Sequence, residues 1–320
     1  MPRFECRFSP ICDCGRRKPV LGESDLAAML AEALPYVSRY IGKTIVVKLG
    51  GSALGQHDTT IEDVVICHRL GIRIVLVHGG GNAISQWLKR VGKEPRFVKG
   101  LRVTDDETMD LVTMTLAGQV NKQLVAEIQR LGGQAIGLCG LDGGMLRARP
   151  VDPELGRVGE VYQVDLKPLH TLIAAGYIPV VAPIALGADG KSLNLNADTA
   201  AAELAAALRA TKAIFLTDVP GVLDAERQLI SALTASGVRA LIAEGVISGG
   251  MIPKVEACLR ALAGVERSHI VDGRVAHALI RELFTDRGVG TMISDNVAAQ
   301  AADENQEVDR ATDHAELART

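Results

Sequence analysis

Two short β-branched runs, each cut off by glycines and each followed by a helical stretch, constrain this chain more than any other feature. Thr44 to Lys48 stops at Gly50-Gly51, and Ile72 to Val77 stops at Gly79-Gly80-Gly81. β-Branched residues favour extended backbone, and a glycine turn ends each run sharply. Apolar residues then recur at helical spacing around Ile61 to Leu70 and Ala83 to Val91. Strand, helix, strand, helix in that order predicts parallel strands joined by crossover helices. With 320 residues of which 48% are hydrophobic, the chain has enough apolar material for the core this requires. The expected fold class is α/β, a three-layer αβα sandwich around a mainly parallel open sheet.

The same reading divides the chain. Residues 1–23 form a leader without fixed structure, in which Cys6, Cys12 and Cys14 lack the partners of a metal knuckle. Leu26, Met29, Leu30, Leu34, Val37 and Ile41 predict an amphipathic N-terminal helix over 24–42. Two functional halves of one sheet follow, 43–190 and 191–294, with Met145 to Asp165 as a hairpin excursion. Residues 295–320 are polar and acidic with no periodic apolar face, and read as a flexible tail. Cys67, Cys139 and Cys258 stand singly in apolar segments and read as buried thiols. A net charge of −3 and 3% aromatic residues disfavour nucleic acid as a partner. No run resembles a signal peptide or a membrane span, so a cytoplasmic protein is expected.

Chemistry concentrates at the strand ends. Lys48 stands at the carboxyl end of the first strand, before a turn whose N–H groups can face a phosphate. His78-Gly79-Gly80-Gly81-Asn82 ends the next strand and opens a helix, whose N-terminus also favours an anion. Singly, each is an ordinary tight turn. Paired beside a lysine at one sheet edge, they suit a phosphoryl group. Gly249-Gly250-Met251-Ile252-Pro253-Lys254 brings a second lysine, and Asn194-Leu195-Asn196-Ala197-Asp198 can either cap a helix or hold both lysines through Asp198. Phosphoryl transfer needs positive charge on both sides of the moving group. Arg102, in Gly100-Leu101-Arg102-Val103-Thr104, suits a carboxylate, which arginine binds through two parallel hydrogen bonds. Thr217-Asp218-Val219-Pro220-Gly221-Val222-Leu223 ends another strand at the usual address of a nucleoside.

Taken in order, the motifs KLGG, HGGG, GLRVT, NLNAD, TDVPGV and GGMIPK resemble the amino acid kinase family over residues 24–294. The resemblance implies ATP-dependent phosphorylation of a carboxylate, with N-acetyl-L-glutamate as acceptor, and Mg²⁺ held mainly by the ATP phosphates rather than by protein ligands. It implies that Lys48 and Lys254 stabilise the transition state while Asp198 organises them. Gly80, Gly81, Arg102 and Asn194 would bind the acceptor, and Gly50, Gly51, Thr217, Asp218, Gly221, Leu223 and Gly250 would bind ATP and its phosphates. Leu49 departs from the aromatic residue usual at that position, and a packing role is expected for it.

The segment from His269 to Thr291, together with the N-terminal helix, resembles the arginine-inhibited subgroup. That subgroup implies a hexamer built as a trimer of dimers, with an L-arginine site lined by Tyr36, His269, Glu282 and Gly288. Without the resemblance, His277 and Glu282 read as a solvated helix face. A PII-type signalling protein stands as a candidate partner. The alternatives left open are the longer acceptor N-acetyl-aminoadipate, which differs by one methylene worth about 1–3 kcal/mol, and a non-catalytic amino-acid sensor.

Overall fold

The structure is a computed structural model that describes residues 23–50, 59–285 and 288–295. Gly51, the cysteines of the leader and the expected tail from residue 296 lie outside the described residues. The chain runs through helix α1 (Glu23–Tyr40), strand β1 (Thr44–Leu49), α2 (Thr60–Arg69), β2 (Arg73–His78) and α3 (Gly81–Arg90). These are the expected alternating elements behind one leading helix. A small hairpin, β3 (Phe97–Val98) and β4 (Leu101–Arg102), precedes a continuous rod of α4 (Asp106–Thr113), a π-helical turn (Met114–Val120) and α5 (Asn121–Arg130). Then come β5 (Ala135–Cys139), β6 (Leu146–Pro150), β7 (Gly159–Val164), α6 (Lys167–Ala174), β8 (Ile178–Ala182), β9 (Ile184–Gly187) and β10 (Ser192–Asn194). The last stretch comprises α7 (Ala197–Leu208), β11 (Lys212–Thr217), β12 (Ala232–Thr234), α8 (Ala235–Ala243), α9 (Ile252–Ala261), β13 (Arg267–Asp272), α10 (Ala278–Phe284) and β14 (Thr291–Ser294).

Among the described residues, eight strands form one sheet in the order β12-β14-β13-β11-β1-β2-β8-β5. Every neighbouring pair is parallel except β13 with β14. Side chains alternate across a strand, and both faces here are apolar. Val46, Val75, Val181, Ala213 and Ile270 face a core completed by α6, α7, α8 and α9. Ile45, Val47, Leu49, Ile74, Val180 and Ile214 face the opposite core, completed by α2, α5, α10 and Tyr40 of α1. Leu49 is thus fully buried packing.

One expectation is corrected. The Met145 to Asp165 segment is the expected hairpin, β6 antiparallel to β7, but it does not belong to a single sheet: β6 and β7 join β9 and β10 in a separate four-stranded sheet ordered β10-β9-β6-β7. Strands of three and four residues around Gly187 and Gly190 are too short to show alternation in sequence. Helix α6 was also hidden, since it offers few apolar repeats. Its local signals are Pro168 in the first turn and Asp165, whose Oδ1 accepts from Lys167 N–H at 2.9 Å.

Candidate active site

Lys48 shares its strand face with Val46 and therefore points toward α7. There its Nζ lies 2.7 Å from Asp198 Oδ1, with both side chains largely buried. The cap of α7 is Asn196 alone: its side-chain oxygen accepts from the N–H groups of Asp198 and Thr199. Asp198 is left free for the lysine. Among the described residues Asp198 forms an ion pair with Lys48 and none with Lys254, so the carboxylate joins one of the two lysines expected to share it. Lys254 sits in the first turn of α9, which packs on α7. Cys258, four residues on and so on the same helix face, feels the Asp198 charge, which with burial raises its thiol far above the ordinary range. Lys254 thus shares with Cys258 the α9 face that packs on α7.

Gly50 and Gly80 are glycines for steric reasons. A β-carbon on Gly50 would sit 3.0 Å from Leu216 O, a tight contact with fixed backbone, and at ordinary contact distance from Lys48 Nζ. Gly80 has extended backbone, φ 170°, but a β-carbon there would collide with Leu116 Cδ2 of the π-helical turn. Gly81 opens α3 and its carbonyl faces Arg102. His78 carries a function that reading only the glycines overlooks. It is fully buried; Nδ1 donates to Gly79 O at 2.8 Å, and Nε2 accepts from Asn121 Nδ2 at 3.2 Å. Asn121 Nδ2 also donates to Val180 O at 2.8 Å. Burial lowers the histidine to about 4, so it is a neutral peg holding the turn to α5 and β8. An isolated Asn in mid-helix was the available signal.

Arg102 is 7% exposed. Its Nη2 donates to Gly81 O and Ser85 Oγ, both at 2.9 Å, and its guanidinium lies 4.7 Å from the centre of the Phe97 ring. Its Nη1 is buried with no partner. Thr104 Oγ1 donates to Arg102 O at 2.8 Å and accepts from Asn194 Nδ2 at 3.3 Å, so Arg102 and Asn194 meet through Thr104. Burial pulls the guanidinium below its usual range, which marks an electrostatic debt that an anion would relieve.

The second glycine-rich face is more open. Thr217 is buried at the end of β11, its Oγ1 donating to Asp218 Oδ1 at 3.2 Å, while Asp218 is exposed. Gly221 has φ 145°, and a β-carbon there would meet Thr291 Oγ1 at 2.6 Å. That threonine receives Val222 N–H at 2.8 Å, and Leu223 bridges Leu229 to close the turn. Gly250 is exposed with open space around it.

His269, Glu282 and Gly288 are brought together. Nδ1 of His269 donates to Glu282 Oε1 at 2.5 Å, and Glu282 Oε2 accepts from Val289 N–H at 2.7 Å. Gly288 has φ 57°, and a β-carbon there would press on Glu282 Oε2 at 2.7 Å. Burial, then the nearby Lys212 charge, keeps His269 neutral below its ordinary range. Burial opposes the Glu282 charge, but the His269 and Val289 hydrogen bonds and Lys212 hold the carboxyl below its usual range. His269 Nε2 is buried and unpartnered. Tyr36 is half-buried on α1, which packs against α10. Two residues the sequence did not flag complete this region: Lys212 Nζ lies 5.4 Å above the Tyr40 ring, and Tyr40 packs on Phe284. The solvated helix face is overturned for Glu282, which is buried, while His277 stays half-exposed and pairs with buried Asp63 at 2.7 Å.

Among the described residues no helix is long and apolar enough to cross a membrane. A protein of Moorella thermoacetica named acetylglutamate kinase is 48% identical over 291 residues, covering 85% of this chain and 98% of that one. The N-acetylglutamate synthase of Neisseria gonorrhoeae, solved with coenzyme A and N-acetyl-glutamate, is 28% identical at a TM-score of 0.76. That match covers 84% of this chain, which spans only 63% of the synthase's length. The same synthase solved with coenzyme A and L-arginine is 26% identical at a TM-score of 0.73, over 84% of this chain and 65% of that one. The family model described as the amino acid kinase family matches residues 43–272. With the lysine and glycine turns at the carboxyl ends of a parallel sheet, this match places the chain in the amino acid kinase family.

Proposed function

We propose that this kinase transfers the γ-phosphoryl group of ATP to the side-chain carboxylate of N-acetyl-L-glutamate, giving N-acetyl-L-glutamyl 5-phosphate and ADP in the second step of arginine biosynthesis. The observation that carries the acceptor is the buried, unpartnered Nη1 of Arg102. An unmade hydrogen bond at a buried polar group costs about 1–3 kcal/mol, and an incoming carboxylate would make it. The similarity to an acetylglutamate kinase along nearly its whole length supports the same acceptor.

The acceptor is already an anion at neutral pH, so no side chain need remove a proton. Its carboxylate oxygen bonds to the γ-phosphorus while the bond to the β–γ bridging oxygen breaks, and that electron pair leaves on ADP. Lys48 would offset charge on one side of the moving group and Lys254 on the other. Asp198 would hold Lys48 in place. Among the described residues no group of three His, Cys, Asp or Glu side chains could hold a metal ion. The Mg²⁺ of Mg-ATP would ride on the nucleotide's phosphate oxygens, adding positive charge there.

Feedback inhibition by L-arginine belongs to the same proposal. His269 Nε2 and the Glu282 carboxylate offer an acceptor and a negative charge to a guanidinium or ammonium group. The exposed Leu34 of α1 would be covered in a hexamer. The deciding experiment is an acceptor panel with Mg-ATP, run with and without arginine. ADP release with N-acetyl-L-glutamate, suppressed by arginine, is expected. Turnover of N-acetyl-L-aminoadipate but not of the glutamate compound would overturn the acceptor.

A further inference from the structure

Phosphoryl transfer as described makes no use of Arg157, which lies between β6 and β7 at the junction of three chain segments. Its N–H donates to Thr104 O at 2.6 Å, and its carbonyl accepts from Asn194 N–H at 2.8 Å. On either side, Thr104 N–H donates to Leu155 O at 2.9 Å and Val158 bridges Asn194. The main chain of Arg157 is thus hydrogen-bonded between the backbones of Thr104 and Asn194, whose side chains also meet directly. Gly156 permits this approach: its φ is 67°, and a β-carbon would collide with Thr104 O.

The side chain repeats the pattern. Nε donates to Asp106 Oδ1 at 2.5 Å and Nη1 donates to Asp189 Oδ2 at 2.7 Å. Asp106 is the first residue of α4, just after Thr104, and Asp189 lies in the turn joining β9 to β10, just before Asn194. Each carboxylate therefore belongs to one of the two segments that the Arg157 main chain links. A guanidinium is planar and permanently charged, so two of its donors hold two carboxylates at a fixed angle, which a lysine ammonium cannot do.

We propose that Arg157 is a positioning residue for the acceptor site, setting the separation between Arg102 and Asn194 by clamping Asp106 to Asp189. This rests on the reading of Arg102 and Asn194 as acceptor ligands. The clamp is not a stability device: Asp106 is 73% and Asp189 51% exposed, and exposed pairs contribute little to folding. Its effect is geometric. Binding groups must be held within about half an ångström of their productive places, and the main-chain bonds that survive a side-chain change limit the loss.

The test compares wild type with Arg157→Gln, Arg157→Lys, the Asp106→Asn/Asp189→Asn double variant and the combined triple variant. Each is assayed for KM of N-acetyl-L-glutamate, KM of Mg-ATP, kcat and melting temperature. Arg157→Gln should raise the acceptor KM by about 5- to 20-fold, leave the ATP KM and kcat within about threefold, and melt within a few degrees of wild type. Arg157→Lys should recover part of the loss, the triple variant should be no worse than Arg157→Gln, and the gap from wild type should narrow as salt rises. An unchanged acceptor KM in Arg157→Gln, or equal losses for acceptor and ATP, would overturn the proposal. If the wild type itself turns over no N-acetyl-L-glutamate, the acceptor reading falls first and this inference falls with it.

Discussion

At the scale of single residues, the site holds one buried ion pair, Lys48 with Asp198, and one buried guanidinium donor without a partner, on Arg102. Lys48 is largely buried against Asp198, and removing either leaves the other uncompensated. Asp198→Asn keeps the shape and the Asn196 cap but loses the charge, so kcat should fall about 10²- to 10³-fold with little change in acceptor KM. An unchanged kcat would remove Asp198 from the mechanism. Arg102→Lys should instead raise the acceptor KM at least about tenfold, because a single ammonium cannot hold Gly81 O and Ser85 Oγ and also supply the donor that the free Nη1 offers a carboxylate. Isothermal titration with N-acetyl-L-glutamate checks this directly. The motif residues were legible because lysine and glycine at strand ends carry chemistry readable one position at a time. Arg157 was not, because its meaning lies in three distant segments that only the fold brings together.

At the scale of elements, β1, β2 and their crossover helices were legible from β-branching and glycine stops, whereas β9, β10 and α6 were too short or too weakly periodic. The joint between elements matters as much as the elements themselves. His78 ties β2 to α5 and β8 as a neutral group, with its pKa lowered to about 4 by burial. The unfolded chain accepts a proton near pH 6.5 that the folded chain refuses, so the histidine's contribution is intact above about 6.5 and is lost as pH falls toward 4. The neutral His269, also lowered by burial, adds in the same direction. Melting temperature should therefore drop across that interval, by up to about 1.4 kcal/mol of stability per pH unit for each histidine. His78→Gln should melt lower at pH 8 and show a flatter dependence. A wild type with constant melting temperature from pH 7 to 4.5 would contradict the neutral peg.

At the scale of the whole molecule, α1 is the element proposed to act beyond one chain. It packs on α10, which carries Glu282, and leaves Leu34 exposed. Deleting residues 1–38, which spares the buried Tyr40, should weaken arginine inhibition by at least about tenfold and reduce the assembly measured by light scattering, with basal turnover largely retained. Equal inhibition of both forms would count against α1 as part of the control. The rod from Asp106 to Arg130 does for the interior what α1 is proposed to do outside. Its first part, through Met109, Val112 and Leu116, packs with Ile84 and Leu88 of α3, while Leu124 and Ile128 pack beneath the central sheet. An unbroken α-helix would keep one stripe throughout. The π-helical turn resets the rotational phase by accommodating a surplus residue between the two parts. Removing one residue between Met114 and Val120 would let the rod close into regular α-helix with α5 nearly in place, whereas adding one beyond the residue this turn absorbs would swing everything downstream by about 100°, carrying Asn121 off His78. The glycine turn after β2 is thus set by a length of chain as well as by its letters, and a one-residue insertion in the rod would displace it with every motif intact.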